Sequence, residues 1–144
     1  MFPGALVPFG MVQVGPDNAD QGWSFSSGYQ YDAPRILGFS NTHISGAGIP
    51  ELGDVLLLPN GGPRWTAATR TFDSDYRKDT EVAQPGYYAV RLAARAVQVE
   101  LTATERVALH RYTFDRAGRV QVLVDLQHGL RFKTAPRVTR SQHA

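Results

Sequence analysis

Residues 97–126 read VQVELTATERVALHRYTFDRAGRVQVLVDL. Val97, Val99 and Leu101 alternate with Gln98, Glu100 and Thr102. Val107, Leu109, Arg111 and Thr113 then oppose Ala108, His110, Tyr112 and Phe114, a strand that reads as covered on both faces. Val120, Val122, Val124 and Leu126 oppose Gln121, Leu123 and Asp125. Side chains of a strand point alternately to its two faces, so this period of two marks strands. Asp115-Arg116-Ala117-Gly118 reads as a hairpin turn joining the last two. Upstream, Tyr87 to Leu92 sets Tyr88, Val90 and Leu92 on one face. No stretch has a convincing helical period. Strands about every ten residues with turn signals between them predict an all-β fold, an antiparallel β-sandwich. Its expected core is Val55, Leu57, Tyr88, Val90, Val97, Val99, Leu101, Val107, Val122 and Val124.

A chain of 144 residues with 42% hydrophobic content is one domain and can bury a core. It has no cysteine, hence neither a disulfide framework nor a thiolate zinc site. No apolar run reaches the roughly 18 residues of a membrane span, and the N-terminus lacks the basic region of a signal peptide. Net charge is +2, but the halves differ. Residues 1–63 carry five acids against Arg35 alone, a net of −4; residues 64–144 carry fourteen bases against eight acids, a net of +6. The bases are scattered over several elements, which argues against a nucleic-acid patch.

The glycine-rich half holds most of the polar loops. Phe2-Pro3-Gly4 and Val7-Pro8-Phe9-Gly10 read as tight turns, because proline presets φ and glycine permits positive φ. Met11–Val14 alternates like a short strand. Residues 15–35 form a long polar and aromatic loop with Trp23, Tyr29 and Tyr31. Trp23 is either a stacking platform for a sugar ring or a cap on the core, and the residues alone favour the cap. Residues 34–59, PRILGFSNTHISGAGIPELGDVLLLP, run from a loop with His43, Ser45, Glu51 and Asp54 into an apolar strand from Val55 to Leu58. Loops held by a rigid sheet are where binding groups usually sit. After the turn Asn60–Pro63, residues 64–85 are charged and irregular, with a strand signal at Thr69–Phe72. Residues 127–144 lose the alternation and read as a broken-off continuation.

The histidines are His43, His110, His128 and His143, and none are paired at metal-site spacing. His43 alone reads as a hydrogen-bonded loop histidine. Glu51 and Asp54 read as turn acids or, less readily, as a glycosidase carboxylate pair. Gly46-Ala47-Gly48 lacks the third glycine and following helix of a phosphate loop.

Six blocks in series carry a family resemblance: FPGALVPFGMVQVGPD (2–17), GYQYD (28–32), ILGFSNTHISGAGIPELGDVLLLP (36–59), EVAQPGYYAVRL (81–92), VELTATERVALHRYTF (99–114) and VLVDLQHG (122–129). Together they resemble the N-terminal domain of glycoside hydrolase family 92, the calcium-dependent, inverting exo-α-mannosidases. The resemblance implies an N-terminal β-sandwich followed by an (α/α)-barrel, with the active site between them. It places the general acid, the general base and the calcium ligands chiefly in the barrel. Residues 1–144 would then be a partial sandwich, part of a larger supersandwich domain, with the catalytic domain absent. The implied role is to supply part of a pocket for a mannose-containing glycan, without catalysis by this chain alone. Matching pocket positions are Phe9, Gly10, Trp23, His43, Ser45 and Glu51. Kinship also implies an extracytoplasmic setting, while the scattered bases and the lack of a long apolar run predict no nucleic-acid partner and no membrane partner. Asn41 departs from the family, which usually has histidine there. A first strand before Phe2 and further sandwich after Gly129 are expected in the family. The alternatives are a stand-alone carbohydrate-binding sandwich and an inactive gene fragment.

Overall fold

A computed structural model describes residues 2–19, 23–44, 46, 48–66 and 72–130. Among the described residues ten strands form: β1 Gly15–Asp17, β2 Arg35–Ile36, β3 Gly38–Ser40, β4 Leu56–Asn60, β5 Ser74–Asp75, β6 Val82–Gln84, β7 Tyr87–Leu92, β8 Val97–Ala103, β9 Ala108–Phe114 and β10 Gln121–Asp125. Helix among the described residues is limited to three single 3-10 turns, Trp23–Phe25, Lys78–Thr80 and Ala93–Arg95. One antiparallel sheet runs β1-β3-β4-β10, a second β6-β7-β8-β9, and β2 pairs with β5. The two four-stranded sheets pack face to face, as the alternation requires.

In β7 and β8 the sequence pattern is realised residue by residue, whereas β9, read as covered on both faces, exposes Leu109, Arg111 and Thr113. Val90 stands opposite Val99, and Tyr88 opposite Leu101. Tyr88, Val90, Leu92, Val97, Val99 and Leu101 are buried, each worth roughly 1.5–3 kcal/mol of transfer free energy. Against them the first sheet sets Phe39 and Leu58; the Phe39 and Tyr88 rings meet at 6.4 Å. Pro16 lies on the edge strand β1. Pro59 lies beyond the single β3–β4 pairing, Phe39 with Leu57, and has only β10 beside it.

The first sheet corrects several sequence expectations. Val122 and Val124 are exposed and Leu57 is half-buried, while Leu56 and Leu58 are buried. The register explains it: Leu58 pairs with Leu123, which packs on the core, so the valines on either side point outward. A one-residue change of phase sends every side chain to the other face. The inward polar residues of β10 are satisfied, since Gln121 Oε1 accepts the Trp65 backbone N–H at 2.8 Å and Asp125 Oδ1 accepts from the backbone amides of Gln127 and His128. Val55 and Val107 are exposed just outside β4 and β9. The Asp115–Gly118 turn is not a hairpin: β9 pairs with β8 and β10 with β4, so the turn carries the chain from one sheet to the other. Met11–Val14 is not a strand, although Val14 bridges Ala5 and pairing begins at Gly15. Of the strand signal at Thr69–Phe72, residues 69–71 lie outside the described residues, and Phe72 is not in a strand.

Candidate functional site

The glycine-rich edge is a set of tight turns. Val7–Gly10 closes with the Gly10 N–H on the Val7 carbonyl at 3.1 Å, and Phe9 takes φ 60°. Proline second and a positive φ third define a type II turn, whose third position normally needs glycine or asparagine. Here it holds a phenylalanine whose side chain is 106% exposed. The next residues anchor the turn, as the Met11 and Val12 amides donate to the Glu105 carbonyl at 2.8 and 3.4 Å. Trp23, 68% exposed, begins a 3-10 turn; a Cβ on Gly48 would stand 4.0 Å from its ring. Leu52 and Val55 also have positive φ, 66° and 56°. Asn41 holds the second of these: its side-chain amide donates to the Val55 carbonyl at 2.7 Å, and its Oδ1 meets His110 Nε2 at 2.9 Å. Burial pushes the pKa of His110 down to about 4.

Beneath this edge lies a buried carboxylate shared by two imidazoles. Asp17 Oδ1 is 2.7 Å from His43 Nε2, and Oδ2 is 2.8 Å from His128 Nε2. His43 Nδ1 is 2.7 Å from the Gln13 carbonyl, which can only accept, so that nitrogen carries a proton. Nε2 faces an ionised carboxylate and carries one as well, which makes His43 an imidazolium. Burial alone would lower its pKa, but the Asp17 carboxylate outweighs burial and raises it. For Asp17, burial works upward and the His43 charge with the two histidine hydrogen bonds brings the net shift downward. Gly28, at φ +79°, makes room for this contact: a Cβ there would lie 2.9 Å from His43 Nε2 and nearer still to Asp17 Oδ1. The Leu130 N–H donates to the Leu52 carbonyl at 2.7 Å, tying the segment after β10 to the same loop.

A second cluster lies between the N-terminal prolines and the β6–β7 turn. Glu81 accepts the hydroxyls of Tyr29 at 2.8 Å and Tyr88 at 2.7 Å. Burial, then Glu81, raises the pKa of both phenols, which stay protonated and donate. Lys78 Nζ lies 4.5–4.6 Å from the ring centres of Tyr29, Tyr31 and Tyr76. A cavity of about 880 Å³ opens beside it.

The residues singled out in the sequence therefore take different places. Phe9 and Gly10 form the strained turn and Trp23 stands by Gly48. His43 is 2% exposed, an interior node. Glu51 is exposed, and Ser45 lies outside the described residues. Asp54 is closed onto Thr42, which donates to its carboxylate at 3.2 Å and accepts its N–H at 3.0 Å. Sequence reading missed Asp17 as the partner of His43, 26 residues away, and of His128, 111 residues away; the available signal was an acid inside the first sheet strand. Among the described residues no three acidic, histidine or cysteine side chains gather as a metal site. Asp17 with its two N–H donors is a poor cradle for calcium, which takes six to eight oxygen ligands.

A β-sandwich module with one polar, glycine-rich, aromatic edge is thus the class the fold defines. The family model for the glycosyl hydrolase family 92 N-terminal domain matches residues 1–143, and the chain belongs to that family. The family GH92 α-mannosidase BT3965 of Bacteroides thetaiotaomicron, solved in complex with mannoimidazole, is 36% identical, with a TM-score of 0.84 over 91% of this chain and 18% of its own. The family GH92 inverting mannosidase BT2199 of the same organism is 27% identical, with a TM-score of 0.70 over 87% of this chain and 16% of its own. The chain spans under a fifth of the length of these solved relatives. Nothing matches among the curated proteins.

Proposed function

We propose that this domain is the carbohydrate-contacting part of an inverting, calcium-dependent α-mannosidase and supplies part of its mannose pocket. In this reading the general acid, the general base and the calcium ligands come from the greater length that the relatives carry beyond this domain. The observation that carries the reading is Phe9. Its left-handed backbone costs energy and its fully exposed ring recovers none of it within this chain. Strain of that kind is kept where a surface is used, and the inference runs from the outlier to function. Trp23 beside Gly48 offers a second exposed ring on the same half of the chain, and aromatic rings supply the apolar body that sugar faces stack on. The apolar outer face of β10, with Val122 and Val124, gives the larger remainder of such an enzyme a surface to cover. Kinship adds an extracytoplasmic setting.

The test is kinetic. In the longer protein that carries this domain, Phe9→Ala and Trp23→Ala are each expected to raise KM for an aryl α-mannoside about tenfold, the loss of roughly 1.4 kcal/mol of sugar contact. Unchanged KM and kcat in both variants would remove the domain from the pocket.

A further inference from the structure

We propose that the cavity beside Lys78 is a second binding site, for a neutral saccharide. Its volume of about 880 Å³ lies within the range of ligand sites, roughly 300–1,000 Å³. Pro3, Pro85 and Tyr31 give it flat apolar wall, and Gln30 and Gln84 give it amides.

The charge arithmetic decides the ligand class. Lys78 has three N–H donors. Tyr29 Oη takes one at 2.6 Å, Tyr76 Oη a second, and Glu81 Oε2 faces the third at 3.4 Å. Glu81 is in turn filled by Lys78 and the two phenols. The two charges therefore cancel inside the wall. The three-ring cage is already occupied by the protein's own ammonium, which excludes a cationic guest from it. An anion finds no uncommitted charge to replace its water. What remains for a guest is a rigid aromatic and proline surface with polar groups at intervals. Tyr31 is 65% exposed, so its ring keeps open area although Lys78 lies 4.6 Å from its centre. Among the described residues no hydrogen bond holds the side-chain amides of Gln30 and Gln84, which leaves donors and acceptors for hydroxyls. A pyranose, with apolar C–H faces and an equatorial belt of hydroxyls, matches this surface. This inference stands without the mannose reading, because it uses neither Phe9 nor Trp23.

The experiment is an amide NMR titration of the 144-residue chain with mannobiose, cellobiose and maltose, and with glucuronic acid as an anionic control. At least one neutral disaccharide should shift Tyr31, Gln84 and Gly86 with a Kd on the order of 1 mM. Tyr31→Ala should weaken it at least tenfold and Gln84→Ala severalfold, while Tyr31→Phe keeps most of the affinity; preserved spectral dispersion checks the fold of each variant. Three results would overturn the proposal: no shifts with any disaccharide, tighter binding of glucuronic acid, or shifts that Trp23→Ala abolishes and Tyr31→Ala leaves intact. The last would put the sugar on the Trp23 edge and leave the function proposed above standing.

Discussion

Replacing Phe9 with glycine should make this domain more stable while harming its use. Phe9 sits at φ 60°, where an L-residue with a Cβ loses about 1–2 kcal/mol. Glycine removes that cost but gives the unfolded chain extra freedom, a loss of about 0.5–1 kcal/mol. The ring is wholly exposed, so no buried contact enters the balance. The Gly10–Val7 bond that closes the turn is between backbone groups and survives the change. The expected net gain is about 0.5–1 kcal/mol, read as a higher urea midpoint at unchanged m and a Tm higher by about 2–4 °C. The same variant should bind methyl α-mannoside less well in the longer protein. Destabilisation by Phe9→Gly would refute the reasoning, because it would mean that the ring packs. Stabilisation without functional loss would leave the strain unexplained by function.

Two further outcomes follow from the buried node. Gly28→Ala should cost more than about 3 kcal/mol in urea unfolding, since its Cβ must displace Asp17 or His43 and its φ of +79° suits glycine alone; a loss under 1 kcal/mol would contradict the close approach. The contribution of the Asp17–His43 pair to thermal stability should be complete between about pH 4 and 6.5, while His110, held down to about 4, lowers the overall stability as pH falls through the same window. The His43 pKa is raised on folding, so its contribution is complete below the unfolded value near 6.5 and fades as pH rises through the folded one. The Asp17 pKa is lowered, so its contribution is present above about 3.9 and fades as pH falls through the folded value. A pH-scanned melting series of the wild type against His43→Gln checks it, and the variant should lose the fall on the alkaline side.

β7 and β8 were legible because one face is apolar and the other largely polar, whereas β9 carries apolar residues on both faces and leaves one of them exposed. In β8 the buried residues are the odd-numbered Val97, Val99 and Leu101, as the alternation says. β10 was misread in phase because its alternation sets Val122 and Val124 against Gln121 and Asp125, and only pairing with β4 turns Leu123 inward between those two polar residues. The same ambiguity hid the crossover at Asp115–Gly118, since local turn chemistry cannot tell a hairpin from a step between sheets. Phe9 and Gly10 were legible as a turn through Pro8. The Asp17–His43–His128 node was not, because long-range closure brings its members together and no spacing records it. Asn41, noticed as a departure, holds the strained Val55 and reaches His110 across the fold.

The central claim is that this domain presents a sugar-contacting edge without its own catalytic pair. Inverting hydrolysis needs an acid and a base roughly 6.5–9.5 Å apart across the scissile bond. In the candidate loop the close acids are Glu51, exposed, and Asp54, already bound to Thr42. Incubating residues 1–144 with calcium and an aryl α-mannoside, and following phenol release, tests the claim directly. The account predicts no turnover above the uncatalysed rate. Turnover that survives purification and is abolished by Glu51→Gln or Asp54→Asn would show that the sandwich carries its own catalytic carboxylates.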